Sequence, residues 1–139
     1  MKQYDDNNIF AKILRKELKA TFVCEDENIA VIMDAMPQSK GHMLVIPKVK
    51  ARNILDIPPE YLPNLILQTQ KIAKIAKDKL NADGISIFQF NEPDGGQTVF
   101  HLHFHVVPRY KNIELKTHAR TFADPDELEN IAKIIRQAL

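Results

Sequence analysis

The sequence is poor in features that would cross-link the chain, anchor it in a membrane or attract a polyanion. Cys24 is the only cysteine among 139 residues, which rules out a disulfide within the chain and favours a reducing compartment. No apolar run approaches the roughly 20 residues of a transmembrane helix, and the polar start does not resemble a signal peptide. Lys and Arg total 19 against 18 Asp and Glu, and a net charge of +1 gives no electrostatic case for nucleic acid or an anionic membrane. We expect one cytoplasmic domain over residues 1–139.

An alternating run of histidines is the most distinctive feature that the sequence does contain. Three of its five histidines, His101, His103 and His105, take every second position within residues 99–109. This alternation with bulky apolar residues predicts a β-strand, on which successive side chains face opposite ways. The three imidazoles should therefore share one face. The other face should enter the core through Phe100, Leu102, Phe104 and Val106.

The remaining periodicities predict an α+β domain on a mainly antiparallel five-stranded sheet, with a short N-terminal helix, a long central helix and a C-terminal helix. The helices are expected over residues 9–18, 59–80 and from Asp124 onward, and the other strands over 21–25, 29–33, 42–47 and 85–90. Asn8 and Asp124 are candidate N-caps, and Glu127 completes a capping box. Apolar stripes are expected on the second helix at Leu62, Leu65, Ile66, Ile72, Ala73, Ala76 and Leu80, and on the last at Leu128, Ile131, Ile134, Ile135 and Leu139.

The histidine stretch follows a glycine-containing turn at residues 94–98, a type of turn that can offer backbone N–H groups to an anion. An imidazole is a competent nucleophile towards phosphorus near neutral pH, because much of it is unprotonated there. The central His103 can attack while His101 and His105 orient it, contact phosphate oxygens and protonate the leaving group. Gln97 and Thr98 add side chains for those oxygens, so the pattern predicts phosphate chemistry that needs no metal.

A metal site is the main alternative, since alternate histidines on a strand can ligate one ion. The sequence has no Cys-x-x-Cys and no His-Glu-x-x-His, and only His42 and His118 remain as further imidazoles. A lone Asp34 at the end of a strand is, from its position alone, more often a turn residue than a ligand.

These residues resemble the signature of the histidine-triad (HIT) family, in which three histidines alternate with apolar residues. The resemblance extends over nearly the whole chain. It includes residues 9–13, Asp34 with residues 41–48, residues 95–99, the triad at 101–107, residues 116–119 and the final helix. It implies the HIT α+β fold, usually assembled as a homodimer in which central strands and long helices pair.

The resemblance also implies roles for individual residues. His103 would form a covalent nucleotidyl intermediate, His101 and His105 would contact phosphate and leaving group, and His42 would support His103. Asp34 would hold the ribose, against the turn role that its position alone favours. Purine contacts would come from Ile9, Phe10, Ile13 and Ile32, and phosphate contacts from Asn91, Gln97 and Thr98.

The implied activity is hydrolysis of purine nucleoside 5′-phosphoramidates or related conjugates, with release of AMP or GMP and no cofactor. A dinucleoside polyphosphate hydrolase of the same family is one alternative, and a nucleotide-binding regulatory module is another. Many bacterial members bind a structural zinc, but here Asn8, Ala11 and Lys50 occupy places of its ligands. We therefore expect no structural metal.

Overall fold

Strands and helices succeed one another along the chain in the predicted order. The computed structural model describes residues 1–117 and 121–139, so His118 and part of the stretch compared at 116–119 lie outside the described residues. Within those ranges the helices are α1 (Ile9–Leu14), α2 (Leu62–Lys79) and α3 (Pro125–Gln137), and a 3₁₀ turn, Pro59–Tyr61, precedes α2. The strands are β1 (Phe22–Glu25), β2 (Ile29–Met33), β3 (Met43–Pro47), β4 (Gly84–Phe88) and β5 (Phe104–Arg109).

The five described strands form one sheet in the order β1-β2-β3-β5-β4, with every neighbouring pair antiparallel. This confirms the predicted α+β architecture. Local signals account for the clearest boundaries: the side chain of Asn8 caps α1 and that of Asp124 caps α3, each by accepting a backbone N–H. Among the described residues no helix combines the length and apolar character needed to cross a membrane.

Each face of the sheet is covered by different helices. On one face α2 and α3 enclose the main core, which includes Val45, Ile72 and Val106. On the other face α1 covers a smaller cluster that includes Ile32 and Leu44. Because His105 lies opposite Leu44 in the β3–β5 register, its side chain belongs to the α1 face.

The histidine strand is shorter than predicted. β5 begins at Phe104 rather than Val99, because its ladder with β3 ends at the pair Val45–Phe104 and β4 ends at Phe88. Leu102 still enters the core, where its backbone N–H donates to Ala51. Phe100 does not enter the core: it is half-buried, and its ring packs under the guanidinium of Arg52 at 4.0 Å.

Other differences follow from tertiary contacts that periodicity does not reveal. α1 ends at Leu14, and Lys16 takes a positive φ of 64°. Ile66 is 51% exposed on α2, although its spacing predicts a core position. Ile134 and Leu139 are also exposed, and the buried face of α3 consists of Leu128, Ala132 and Ile135.

Candidate active site

Four imidazoles are buried together beside α1. The exposed fractions are 0% for His42, 1% for His101, 8% for His103 and 3% for His105. Buried imidazoles require hydrogen-bond partners, and those partners fix which ring nitrogen carries the proton. The tautomers of all four rings can therefore be assigned from their surroundings.

His42 and His105 form a hydrogen-bonded pair. The backbone N–H of Gln38 donates to Nδ1 of His42 at 3.0 Å, so the proton of His42 lies on Nε2. That nitrogen is 2.9 Å from Nδ1 of His105 and donates to it. His105 consequently carries its own proton on Nε2. The pair forms a relay that presents a proton on the distal nitrogen of His105.

His103 has the opposite arrangement. Its Nδ1 lies 2.6 Å from the backbone carbonyl of His101, which can only accept, so Nδ1 carries the proton. Nε2 is then the nitrogen with the lone pair, as a nucleophile requires. The edge of Phe10 packs against the ring with centroids 4.7 Å apart, and the ring of His105 is 4.9 Å away. A ring whose Nε2 has a lone pair and a ring whose Nε2 has a proton are thus neighbours.

His101 is held by protein groups at both ring nitrogens. Its Nε2 lies 2.7 Å from the carbonyl oxygen of Pro47, and its Nδ1 lies 2.6 Å from the hydroxyl of Tyr4. Burial lowers the pKa of His101 below its usual value and keeps the ring neutral. The expected contacts of His101 with phosphate and leaving group stay a prediction, and in this structure its ring braces the site.

Asp34 combines the two roles considered for it. Its Oδ1 accepts the backbone N–H of Met36 at 2.9 Å, which is the turn role that its position favours. Its Oδ2 lies 3.4 Å from Nε2 of His42, at the edge of the histidine cluster. A ribose contact by this carboxylate stays a prediction.

The glycine-containing turn is built differently from the expected anion cradle. The N–H groups of Gly95, Gly96 and Gln97 donate to carbonyls of Glu92 and Pro93 within the loop, so they do not point towards an anion. Gly96, with a positive φ of 96°, ends a 3₁₀ turn at Pro93–Gly95, and a Cβ at that position would lie 3.2 Å from the ring of Phe90. Thr98 is exposed after this turn, where its hydroxyl can reach a ligand.

The side chain of Gln97 joins two loops. It is 4% exposed, and its Nε2 donates to the carbonyls of Arg52 at 2.7 Å and Val99 at 3.1 Å. Its Oε1 accepts from the side chain of Asn53 and the backbone of Glu92. These partners occupy the amide, so Gln97 orients the loop before the triad. Direct phosphate contact stays a prediction.

The side chain of Asn91 is likewise bonded within the protein. Its Oδ1 accepts from the backbone of Ile54 at 3.0 Å and from Gln89, and its Nδ2 donates to Gln89 at 2.9 Å. These bonds attach the Asn91 loop to the segment that follows β3. Phosphate binding by Asn91 also stays a prediction.

Comparison with known proteins places this arrangement in a family. The family model of the HIT domain matches residues 15–112. The chain belongs to the HIT family. The matched range contains the triad, His42 and Asp34, which confirms the resemblance drawn from the motif.

Solved HIT structures resemble the chain over most of its length. A Hit-like protein from Bartonella henselae, described as involved in cell-cycle regulation, is 48% identical, with a TM-score of 0.94 over 99% of this chain and 100% of that one. A hypothetical histidine triad nucleotide-binding protein from Sulfolobus tokodaii is 33% identical, with a TM-score of 0.83 over 93% and 89%. A zinc-bound histidine triad family protein from Mycobacterium smegmatis is 35% identical, with a TM-score of 0.81 over 95% and 92%.

The residues at the expected structural-zinc positions do not suit that metal. Asn8 accepts the backbone N–H of Ala11 as a helix cap, and Lys50 forms an ion pair with Asp6 at 2.9 Å. Neither an alanine nor a lysine ammonium ligates zinc. One group among the described residues, Asp34, His42 and His105, brings potential ligand atoms within 4.8 Å of one another. A metal there would have to displace the Nε2 proton of His42, which the hydrogen bond from Gln38 keeps in place.

Three of the four expected purine contacts lie together. Phe10, Ile13 and Ile32 are buried in the small cluster beneath α1. Ile9 lies outside this cluster and is 54% exposed. Its apolar side chain is therefore accessible from outside, whereas Phe10, Ile13 and Ile32 are buried, and a purine contact by any of the four stays a prediction.

The structure adds residues that the sequence analysis missed. Tyr4 bonds to His101 across 97 positions of sequence. Arg52 pairs with Glu92 at 2.7 Å, which lowers the pKa of the Glu92 carboxyl, and Asn53 donates to the same carboxylate. The two partners in each of these pairs are 39 or more positions apart in sequence, so no local spacing could have revealed the contacts.

Proposed function

We propose that the protein is a hydrolase of purine nucleoside 5′-phosphoramidates or related nucleoside monophosphate conjugates. The observation that carries this proposal is the tautomer of His103, whose Nδ1–H donates to the carbonyl of His101 at 2.6 Å. That bond leaves the lone pair on Nε2 and stabilises the positive charge that the ring acquires when Nε2 bonds to phosphorus. Family membership supports the proposal, as does the description of the Sulfolobus tokodaii relative as nucleotide-binding.

The reaction proceeds in two displacements at phosphorus. Nε2 of His103 attacks, the P–N bond to the amine breaks, and the departing nitrogen takes the Nε2 proton of His105. The negative charge left on the His42–His105 pair is balanced by the positive charge of the phosphorylated His103 ring, 4.9 Å away. The hydrogen bond from His42 to His105, 2.9 Å long, orients the donor ring for this transfer. Water then attacks the nucleotidyl-histidine, returns a proton to His105, and releases AMP or GMP with His103 restored.

The remaining predicted residues recognise the nucleotide. Ile9 and Phe10 contact the purine above Ile13 and Ile32, and Asp34 binds the ribose hydroxyls. Thr98 donates to the phosphate, while Asn91 and Gln97 hold the loop that presents it. This division follows from exposure, because Thr98 is exposed whereas the amides of Asn91 and Gln97 are bonded within the protein.

A dinucleoside polyphosphate hydrolase is the second candidate. A groove of about 620 Å³ adjoins Ile9 and Thr98 and extends to Arg52, Glu92 and Phe100. It lies beside two expected substrate contacts and offers room for a second nucleoside. Parallel assays with an adenosine 5′-phosphoramidate and with diadenosine polyphosphates rank the two activities by kcat/KM.

Hydrolysis should not depend on a bound metal. We expect the wild-type protein to turn over adenosine 5′-phosphoramidate at an unchanged rate, within about twofold, after dialysis against EDTA, because both displacement steps use only imidazole groups. The release of AMP measures the rate. A rate that is lost with EDTA and restored by zinc would contradict this mechanism and make Asp34, His42 and His105 the candidate ligands.

We also propose that the protein forms a homodimer through the β4 edge of the sheet. In the register of β4 with β5, Ile87 lies opposite Val106. The side chain of Ile87 is therefore on the face covered by α2, yet Ile87 is 43% exposed. Ile66 of α2 is exposed as well. A strand at the edge of the sheet that carries an exposed apolar side chain is a favourable surface for pairing with a second copy.

Replacing Ile87 with Glu should convert this dimer to a monomer. A charge buried at a two-fold interface meets its own copy and destabilises the pair. Light scattering after gel filtration measures the mass. Leu18→Glu is the matched control, since Leu18 is 44% exposed and lies just before β1 at the opposite edge. A monomeric wild type, or a dimeric Ile87→Glu protein, would reject this interface.

A further inference from the structure

The segment before α1 is attached to the triad. The hydroxyl of Tyr4 lies 2.6 Å from Nδ1 of His101, and the two rings meet edge to face with centroids 5.5 Å apart. Further along the segment Asp6 pairs with Lys50, and Asn8 caps α1. These anchors place Tyr4 against the one triad histidine whose ring the proposed chemistry does not use.

The direction of the Tyr4–His101 hydrogen bond is fixed by the other side of the ring. Nε2 of His101 faces the carbonyl of Pro47, which accepts only, so Nε2 carries the proton. Burial lowers the pKa of His101, so the ring is neutral and Nδ1 is an acceptor. Burial also raises the pKa of Tyr4, which keeps its hydroxyl protonated. Tyr4 therefore donates to His101.

We propose that Tyr4 is a positioning residue for the nucleophile and acts through His101. The ring of His101 is held at both nitrogens, by Tyr4 and by Pro47, and the backbone carbonyl of the same residue accepts the Nδ1 proton of His103. Fixing residue 101 therefore fixes the acceptor that sets the tautomer of His103. This role rests on the proposed function, because it concerns the nucleophile of that reaction.

Removing the Tyr4 hydroxyl should weaken the series of contacts that runs from Tyr4 through His101 to His103, because it removes the first hydrogen bond of that series. The ring of His101 then keeps only its contact with Pro47, and its peptide keeps the bond from Leu102 N–H to Ala51. With fewer restraints on residue 101, its carbonyl spends less time aligned with Nδ1 of His103. A nucleophile that is correctly oriented in a smaller fraction of molecules lowers kcat, whereas the ground-state contacts with substrate are unchanged.

The kinetic test compares Tyr4→Phe with wild type on adenosine 5′-phosphoramidate. We expect kcat to fall about tenfold, the effect of one hydrogen bond, with KM within about twofold. Tyr110→Phe is the matched control, because the hydroxyl of Tyr110 donates to the carbonyl of Lys40 at an exposed position. It should leave kcat unchanged. Equal kcat values for Tyr4→Phe and wild type would overturn the proposal.

A spectroscopic test needs no turnover and separates this proposal from the proposed function. In ¹⁵N spectra of the unliganded protein, His103 should appear as the Nδ1–H tautomer in wild type and in Tyr110→Phe. In Tyr4→Phe the Nδ1 and Nε2 signals should move towards each other as the second tautomer becomes populated. Unchanged signals would reject the role of Tyr4, even if wild type fails to hydrolyse the substrate. A wild type that shows these signals but no hydrolysis would contradict only the proposed function.

Discussion

Replacing His103 with Ala should lower kcat for adenosine 5′-phosphoramidate on the order of 10⁴-fold. The variant loses the nitrogen that attacks phosphorus, and the remaining groups can only assist direct attack by water. The ring of His103 packs against Phe10 and His105, and an alanine at this position keeps neither ring nitrogen. AMP release under saturating substrate measures the effect.

His103→Asn distinguishes chemistry from folding. The Asn amide can donate to the carbonyl of His101, as Nδ1 of His103 does, but it has no counterpart of Nε2. We expect it to fold with a melting temperature near that of wild type and to be as inactive as His103→Ala. Wild type quenched with alkali, in which a histidine P–N bond is stable, should carry a nucleotide on His103 that both variants lack. Full turnover by either variant would refute the covalent mechanism.

Local patterns predicted much of the fold because local interactions determine it. The continuous apolar run Ile29–Met33 and the cap and proline at the start of α3 specify those elements from local sequence. The start of β5 is different, since it depends on where β3 and β4 stop offering partners. Val99 and Phe100 carry the same alternation as Phe104, and only the tertiary register excludes them from the strand.

The candidate site also combines features that local sequence predicts with features that only tertiary contacts determine. Spacing predicted a cluster of His101, His103 and His105, and the resemblance to the family added His42 and Asp34. What spacing did not predict is how each ring is held: both ring nitrogens of His101 contact protein groups, whereas Nδ1 of His105 accepts the Nε2 proton of His42. Those differences come from carbonyls and hydroxyls distant in sequence, which carry no sequence signal of their own.

Replacing Gln97 with Leu should have the second largest effect, because one buried amide satisfies several groups. The substitution leaves the carbonyls of Arg52 and Val99 without the donor they share, and it removes the acceptor used by Asn53 and the backbone of Glu92. Leaving such groups unsatisfied costs about 2–4 kcal/mol of the free energy of unfolding, or roughly 10 °C in melting temperature.

Turnover by this variant should also fall, by about 100-fold in kcat/KM, since the loop from Glu92 to Thr98 keeps the Arg52–Glu92 ion pair but loses the bonds of the Gln97 amide, which position Thr98. Gln68→Leu is the matched control: Gln68 is half-buried on α2, and its amide contacts the sulfur of Cys24 rather than a backbone group. Its stability should stay within about 1 kcal/mol of wild type. Gln97 can act by supporting the loop or by contacting phosphate directly, and the melting temperature distinguishes the two roles. Loss of a residue that supports the loop lowers the melting temperature of the protein without substrate. A Gln97→Leu protein with wild-type melting temperature and a raised KM would instead make Gln97 a direct phosphate ligand.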